Sequence, residues 1–138
     1  MTKQFLVMPT PRPHPPTGPV PEPVEFRLYE SPLQPSGVVL TVSGELDVAT
    51  VPQLRERLGA ALDRGVKRLV IDLRPLFFLD SVAVAALLHA AQRLGEGGRL
   101  AVVVAPDSYI RMVFEIAGLP QCLDVVETLD EAVVRVSG

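Results

Sequence analysis

Short runs of β-branched and aliphatic residues alternate in this chain with segments whose apolar positions recur every three or four residues, and a glycine closes most of those segments. Such alternation points to strands joined by crossover helices, that is, a mostly parallel sheet with helices packed on it. Val38-Val39-Leu40-Thr41-Val42 is the first well-defined run; before it, Val24 to Glu30 alternates weakly and Pro35-Ser36-Gly37 turns the chain. These two stretches are expected to form a pair of antiparallel edge strands. Beyond Asp47, Val51, Leu54, Leu58 and Leu62 fall at helical spacing, with Thr50 as N-cap, Pro52 in the first turn and Gly65 at the end. Lys67 to Leu73 is then a strand, Val82 to Leu94 a helix ended by Gly95, and Leu100 to Val104 a buried strand that stops at Pro106. Ser108 to Ala117 reads as a helix with Gly118 at its C-cap, Leu123 to Val126 as the last strand and Asp130 to Val136 as a closing helix. The expected order is β-β-α-β-α-β-α-β-α, an α/β fold in one domain.

Residues 1–23 fall outside this pattern. Eight prolines stand between Met8 and Val24 (Pro9, Pro11, Pro13, Pro15, Pro16, Pro19, Pro21 and Pro23), which removes backbone donors and favours polyproline geometry. With no apolar periodicity to build a core, this part is expected to be a disordered tail, and the domain to span 24–138.

Charge and cysteine content narrow the function. The net charge is −3, and acidic and basic residues interleave from Arg55 to Arg111 with no single-sign stripe, so no nucleic-acid partner is expected. Cys122 is the only cysteine and has no intramolecular partner, which fits a reducing cytoplasm; it is expected to be a small buried hydrophobe opening the last strand. The longest apolar runs, Ser81 to Ala91 and Leu100 to Ala105, are shorter than the roughly 20 residues a membrane helix needs.

Chemistry is expected where strands end. Gly44-Glu45-Leu46-Asp47 leaves the second strand and Phe78-Leu79-Asp80-Ser81 the third, and loops at the carboxyl ends of neighbouring parallel strands converge. Asp47, Asp80 and Ser81 should therefore be neighbours. Ser81 as a hydrolytic nucleophile lacks a base, since the two histidines are His14 in the tail and His89 two turns into the following helix. His89 has no Cys, His or carboxylate companions at metal spacing, and no cofactor or metal site is expected. Gly95-Glu96-Gly97-Gly98 follows a helix and enters a strand, the reverse of a phosphate-binding loop. On the residues alone Asp80-Ser81 reads as a helix cap, Asp80 accepting backbone N–H bonds. The helix behind it, Val82-Ala83-Val84-Ala85-Ala86-Leu87-Leu88, is apolar on every face, which leaves room for a partner to cover part of it.

The residues resemble the STAS domain, the fold shared by bacterial anti-sigma factor antagonists and the cytoplasmic tails of sulfate transporters. The resemblance covers about Val24 to Val136 and rests on Gly44-Glu45-Leu46-Asp47 with Thr50, Asp72-Leu73, Phe78-Leu79-Asp80-Ser81 and Phe114-Glu115-Ile116-Ala117-Gly118-Leu119, in that order. It implies a non-enzymatic partner switch. In that family the first serine after the aspartate is phosphorylated by an anti-sigma factor that is also a kinase, phosphorylation releases the complex, and a separate serine phosphatase resets it. Carried over, Ser81 is the phosphoacceptor, Asp80, Asp47, Glu45 and Thr50 shape its pocket, and Ser81, Val82, Ala83, Ala85 and Ala86 face the partner. The alternative is a STAS scaffold whose binding phosphorylation does not control. The family's Asp-Ser-Ser-Gly or Asp-Ser-Thr-Gly is here Asp80-Ser81-Val82-Ala83, which replaces a hydroxyl by Val82 and sets a methyl, on Ala83, where a partner's backbone is expected to approach.

Overall fold

The computed structural model describes residues 25–137, so the proline-rich stretch 1–23 expected to be a tail lies outside the described residues. Strand β1 (Arg27–Leu33) runs antiparallel to β2 (Gly37–Leu46), and helix α1 (Val51–Asp63) crosses to β3 (Arg68–Asp72), parallel to β2. A four-residue strand β4 (Leu76–Leu79) then leads directly into α2 (Ser81–Leu94). β5 (Arg99–Val103), α3 (Tyr109–Ile116), a single 3₁₀ turn (Leu119–Gln121), β6 (Asp124–Val126) and α4 (Leu129–Ser137) complete the domain. The sheet order is β1-β2-β3-β5-β6, with β4 paired to β2 beyond the point where β3 ends.

The two faces of the sheet bury different residue sets because successive strand side chains point in opposite directions. Leu40, Val42, Leu69, Ile71, Val102 and Val104 meet the apolar sides of α1, α2 and α3, including Leu54, Leu58, Leu87 and the fully buried Phe114. On the opposite face Val39, Val70, Ala101 and Val103 pack against Ala132 and Val136 of α4. Each fully buried leucine, valine or phenylalanine contributes about 1.5–3 kcal/mol relative to exposure.

Three expectations are corrected. β2 is not an edge strand: it pairs with β1 on one side and with β3 and then β4 on the other. Gly44-Glu45-Leu46 is strand rather than loop, because β4 supplies a second ladder for the far half of β2. The loop carrying Asp80 and Ser81 accordingly leaves the fourth strand in chain order, a strand too short to register as a separate run beside Leu73. Finally, Cys122 is exposed in the turn before β6, and Leu123 takes the buried place.

Gly44 sits at the bulge where the β2–β4 register shifts, at φ +96°, and a Cβ there would lie 2.9 Å from the Glu25 carbonyl oxygen and from Phe26 Cα. Both the backbone conformation and the close approach of the β1 segment require glycine. Gly44→Ala is therefore expected to lower unfolding stability by about 1–3 kcal/mol, read as a lower urea midpoint at unchanged m value.

Candidate partner-binding site at the Asp80-Ser81 turn

Backbone pairing places the site. Glu45 lies opposite Phe78 and Leu46 opposite Leu79, and the Asp80 N–H donates to the Leu46 carbonyl at 3.1 Å, so Asp47 and Asp80 emerge side by side from one end of the sheet. Leu79 and Leu46 are buried beneath them.

Asp80 is the N-cap of α2, in extended conformation (φ −117°, ψ −175°), and its Oδ1 accepts from the N–H groups of Val82 at 3.1 Å and Ala83 at 3.4 Å. This oxygen satisfies the Val82 N–H, which the helix leaves without an acceptor, and is shared by the Ala83 N–H, which also donates to the Asp80 carbonyl at 3.1 Å. Ser81 is the first helical residue and is exposed, and its hydroxyl has no hydrogen-bond partner among the described residues. Capping and presentation are thus both properties of the turn: because the aspartate makes the cap, the serine hydroxyl is left facing solvent.

Asp47 and Thr50 form a reciprocal box at the start of α1. The Asp47 N–H donates to Thr50 Oγ1 at 2.9 Å, while Asp47 Oδ1 accepts from the N–H of Thr50 at 3.1 Å and of Ala49 at 2.9 Å. Thr50 also donates its hydroxyl to the Glu45 carbonyl at 2.8 Å. Thr50 is the N-cap residue of α1, as expected, but its side chain makes no capping bond to the helix, and Asp47 Oδ1 accepts the Thr50 amide. Asp47 is engaged in its own turn, and Glu45 enters this network only through its main chain, with an exposed side chain. The three residues shape the loop beside Ser81.

The expected partner surface divides in two. Ala83 and Ala86 are 0% and 2% exposed and belong to the core, which corrects their assignment to a partner. α2 packs one side on the sheet and on α1, so the helix read as apolar all round has a buried stripe and an open one. Ser81, Val82 and Ala85 face outward. The methyl of Ala83 therefore points inward, and Val82, 36% exposed, is the neighbour of Ser81 whose side chain a partner would meet. His89 is exposed further along the helix.

Two features of the site were not read from the sequence. Asp72, 4% exposed, receives a bidentate pair from Arg74, Nε at 2.9 Å and Nη2 at 2.8 Å, and the Arg74 N–H at 3.1 Å. Donation to the Asp72 carboxylate, opposed by partial burial, raises the pKa of the guanidinium above its ordinary value. This clasp, with the Leu76 N–H donating to the Leu73 carbonyl at 3.0 Å, sets the turn from which β4 starts. The second feature is an apolar groove of about 320 Å³ beside Ser81, lined by Leu79, Val84, Tyr109, Val113, Ile116 and Ala117. The Tyr109 ring stacks on Phe78, with centroids 6.0 Å apart and planes 9° from parallel. The apolar spacing of α3 gave a signal for it, since that helix carries more apolar residues than the sheet can cover.

Residues 29–132 match the model of the STAS domain. This chain belongs to the STAS domain family of anti-sigma factor antagonists. It is 32% identical over 100 residues to the anti-sigma-F factor antagonist RsfB of Mycobacterium tuberculosis, spanning 72% of this chain and 81% of that protein. The crystal structure of an anti-sigma factor antagonist from Mycobacterium paratuberculosis superposes with a TM-score of 0.77 at 29% identity, covering 83% of this chain and 96% of the other. The Bacillus cell fate determinant SpoIIAA in its phosphorylated form gives 0.58 at 28% identity, covering 80% and 98%. These STAS relatives are named as antagonists, not as enzymes, and among the described residues no helix is long and apolar enough to cross a membrane.

For this STAS domain, Asp80→Ala removes the only side-chain acceptor at the start of α2 and is expected to cost about 1 kcal/mol in chemical denaturation. Asp80→Asn, which keeps an acceptor oxygen, is expected to retain most of that stability.

Proposed function

We propose that this chain is a cytoplasmic anti-sigma factor antagonist that binds an anti-sigma factor with serine kinase activity and is released from it when Ser81 is phosphorylated, with a separate serine phosphatase resetting the cycle. The observation that carries the reading is the exposed hydroxyl of Ser81 on the first turn of α2, held there by a cap that a different residue, Asp80, makes. Support also comes from the likeness to SpoIIAA in its phosphorylated form.

The electrostatics favour release over unfolding. A phosphoserine brings about −1.5 to −2 charge, and at a helix N-terminus the dipole favours it by roughly 0.3–1 kcal/mol. In a complex the same charge is desolvated beside Asp80 and near Asp47, where a buried, unpaired charge costs about 2–5 kcal/mol. A loss near 3 kcal/mol weakens binding roughly a hundredfold. The interface cost exceeds the gain within the chain, so the fold survives and the complex does not.

A scaffold whose binding ignores phosphorylation is the second reading, and Val82 favours it, since an apolar side chain stands where the family carries a hydroxyl beside the acceptor. Incubation with the cognate anti-sigma kinase and ATP is expected to place phosphate on Ser81 by mass spectrometry and none on a Ser81→Ala chain. An unmodified Ser81 sinks the switch. Ser81→Asp is expected to weaken the complex by about tenfold to a hundredfold in calorimetric titration while leaving Tm nearly unchanged. Equal binding by both chains establishes the scaffold.

A further inference from the structure

Helices α1 and α2 leave a cleft of about 150 Å³ between them, and its lining differs from that of the groove beside Ser81. Arg55, His89 and Arg93, all exposed, form its rim, and Leu58, Gly59 and Ala90 its floor; no acidic residue lines it. In a chain of net charge −3 this is a local excess of positive charge. Arg55 joins no ion pair among the described residues, and the positions three and four away on α1, Val51, Pro52, Leu58 and Gly59, offer no carboxylate. Arg93 donates Nη2 to Asp63 Oδ1 at 3.0 Å, a single exposed bond that leaves its other donors available.

Gly59 stands in the interior of α1, where glycine weakens a helix. A Cβ at this position would meet only Arg93 Nη1, at an ordinary contact distance of 3.8 Å, and the backbone is not in the left-handed region. Neither packing within the chain nor backbone conformation requires the glycine. Its missing side chain keeps the cleft open beneath Arg93. We propose that this cleft is a second docking site that seats an acidic amphipathic helix of a partner protein, whose carboxylates meet Arg55 and Arg93 while its apolar side chains rest on the floor.

Charge and shape select this occupant. A free anion is held best by backbone N–H groups at a helix start or in a loop nest, whereas the N–H groups in the middle turns of α1 and α2 are bonded within their helices. The cleft offers only side-chain donors above an apolar floor, the mixture that a helix with glutamates flanking leucines complements. From Arg55 to Leu62 the cleft runs about 10 Å, two helical turns, and two helices side by side present a groove in which a third packs. On α2, Val82, Ala86, His89 and Arg93 are spaced by four, three and four residues and share one side, while Ser81 lies roughly 100° round the helix. Docking here is therefore separate from the Ser81 switch and does not rest on it.

The test is an amide chemical-shift titration of the full ¹⁵N chain with three probes: a capped synthetic helix whose glutamates flank leucines, the same helix with glutamine for every glutamate, and inorganic phosphate. The glutamate helix is expected to shift the amides of Arg55 to Leu62 and Ala86 to Arg93 saturably, with an affinity that falls as salt is added. The glutamine helix is expected to bind about fivefold more weakly. Arg55→Glu is expected to weaken the glutamate helix about tenfold, and Asp63→Asn, which frees Arg93, to tighten it about twofold. Gly59→Leu fills the cleft and is expected to abolish binding while the urea midpoint holds or rises. Absence of saturable shifts up to millimolar glutamate helix, shifts confined to the α3 groove, or binding indifferent to Arg55→Glu and to Gly59→Leu overturns the proposal. Equal binding of the glutamine helix overturns it as well. Phosphate that saturates the same amides assigns the cleft to a small anion, and shifts that grow with the concentration of the chain alone assign it to a second copy; either overturns the acidic helix. Ser81→Asp is expected to leave this affinity unchanged, so failure of the switch and failure of the cleft are read separately.

Discussion

The pairing of β4 with the far half of β2 is the interaction on which the rest of the site depends. Three residue pairs and the bond from the Asp80 N–H to the Leu46 carbonyl hold the α1-side loop and the α2-side turn against each other. Without that ladder the segment after Asp72 would lead into α2 with no fixed register, and Ser81 would have no defined neighbours. The pairing itself rests on two local devices. Gly44 lets β2 bend at φ +96° to change partner from β3 to β4, and the Asp72–Arg74 clasp turns the chain so that Leu76 enters β4 in register. A buried carboxylate with a bidentate arginine is costly to leave unpaired, so the turn has one well-defined closed form.

Above that frame the polar groups divide their work. Asp80 and Asp47 each turn one carboxylate oxygen, Oδ1, to backbone donors at the start of its own helix. Their carboxylates nevertheless leave the sheet at the end where Ser81 stands, and the Ser81 hydroxyl has no hydrogen-bond partner among the described residues. A site made this way has a backbone fixed by pairing and capping and, among the described residues, a serine hydroxyl without a hydrogen-bond partner. Because α3 presents Tyr109, Val113 and Ile116 next to that hydroxyl, the surface around Ser81 is half polar turn and half apolar groove.

Much of this was legible in the residues. The β-α alternation, the helix ends at Gly65, Gly95 and Gly118, the strands Val38 to Val42 and Leu100 to Val104, and the convergence of Asp47 with Asp80 all follow from local periodicity and from strand order. β4 was not legible, because Leu76-Phe77-Phe78-Leu79 is four residues long and only Arg74 and Pro75 separate it from Leu73, so the two apolar stretches read as one. Nor was the division of α2: Val82, Ala83, Ala85 and Ala86 are equally apolar, and only the position of α1 and the sheet decides that Ala83 and Ala86 are core while Val82 and Ala85 are surface.

The sequence by itself determined the fold class, the family motifs and a serine next to a helix-capping aspartate, since each depends on contacts within a few residues of chain. The tertiary structure alone decided which methyl faces inward, that Leu46 and Leu79 pair to set Asp80 beside Asp47, and that α3 lays an apolar groove alongside Ser81. Those outcomes depend on how elements 30 or more positions apart in sequence pack, as Leu46 with Leu79 or Phe78 with Tyr109, and no local pattern encodes that distance.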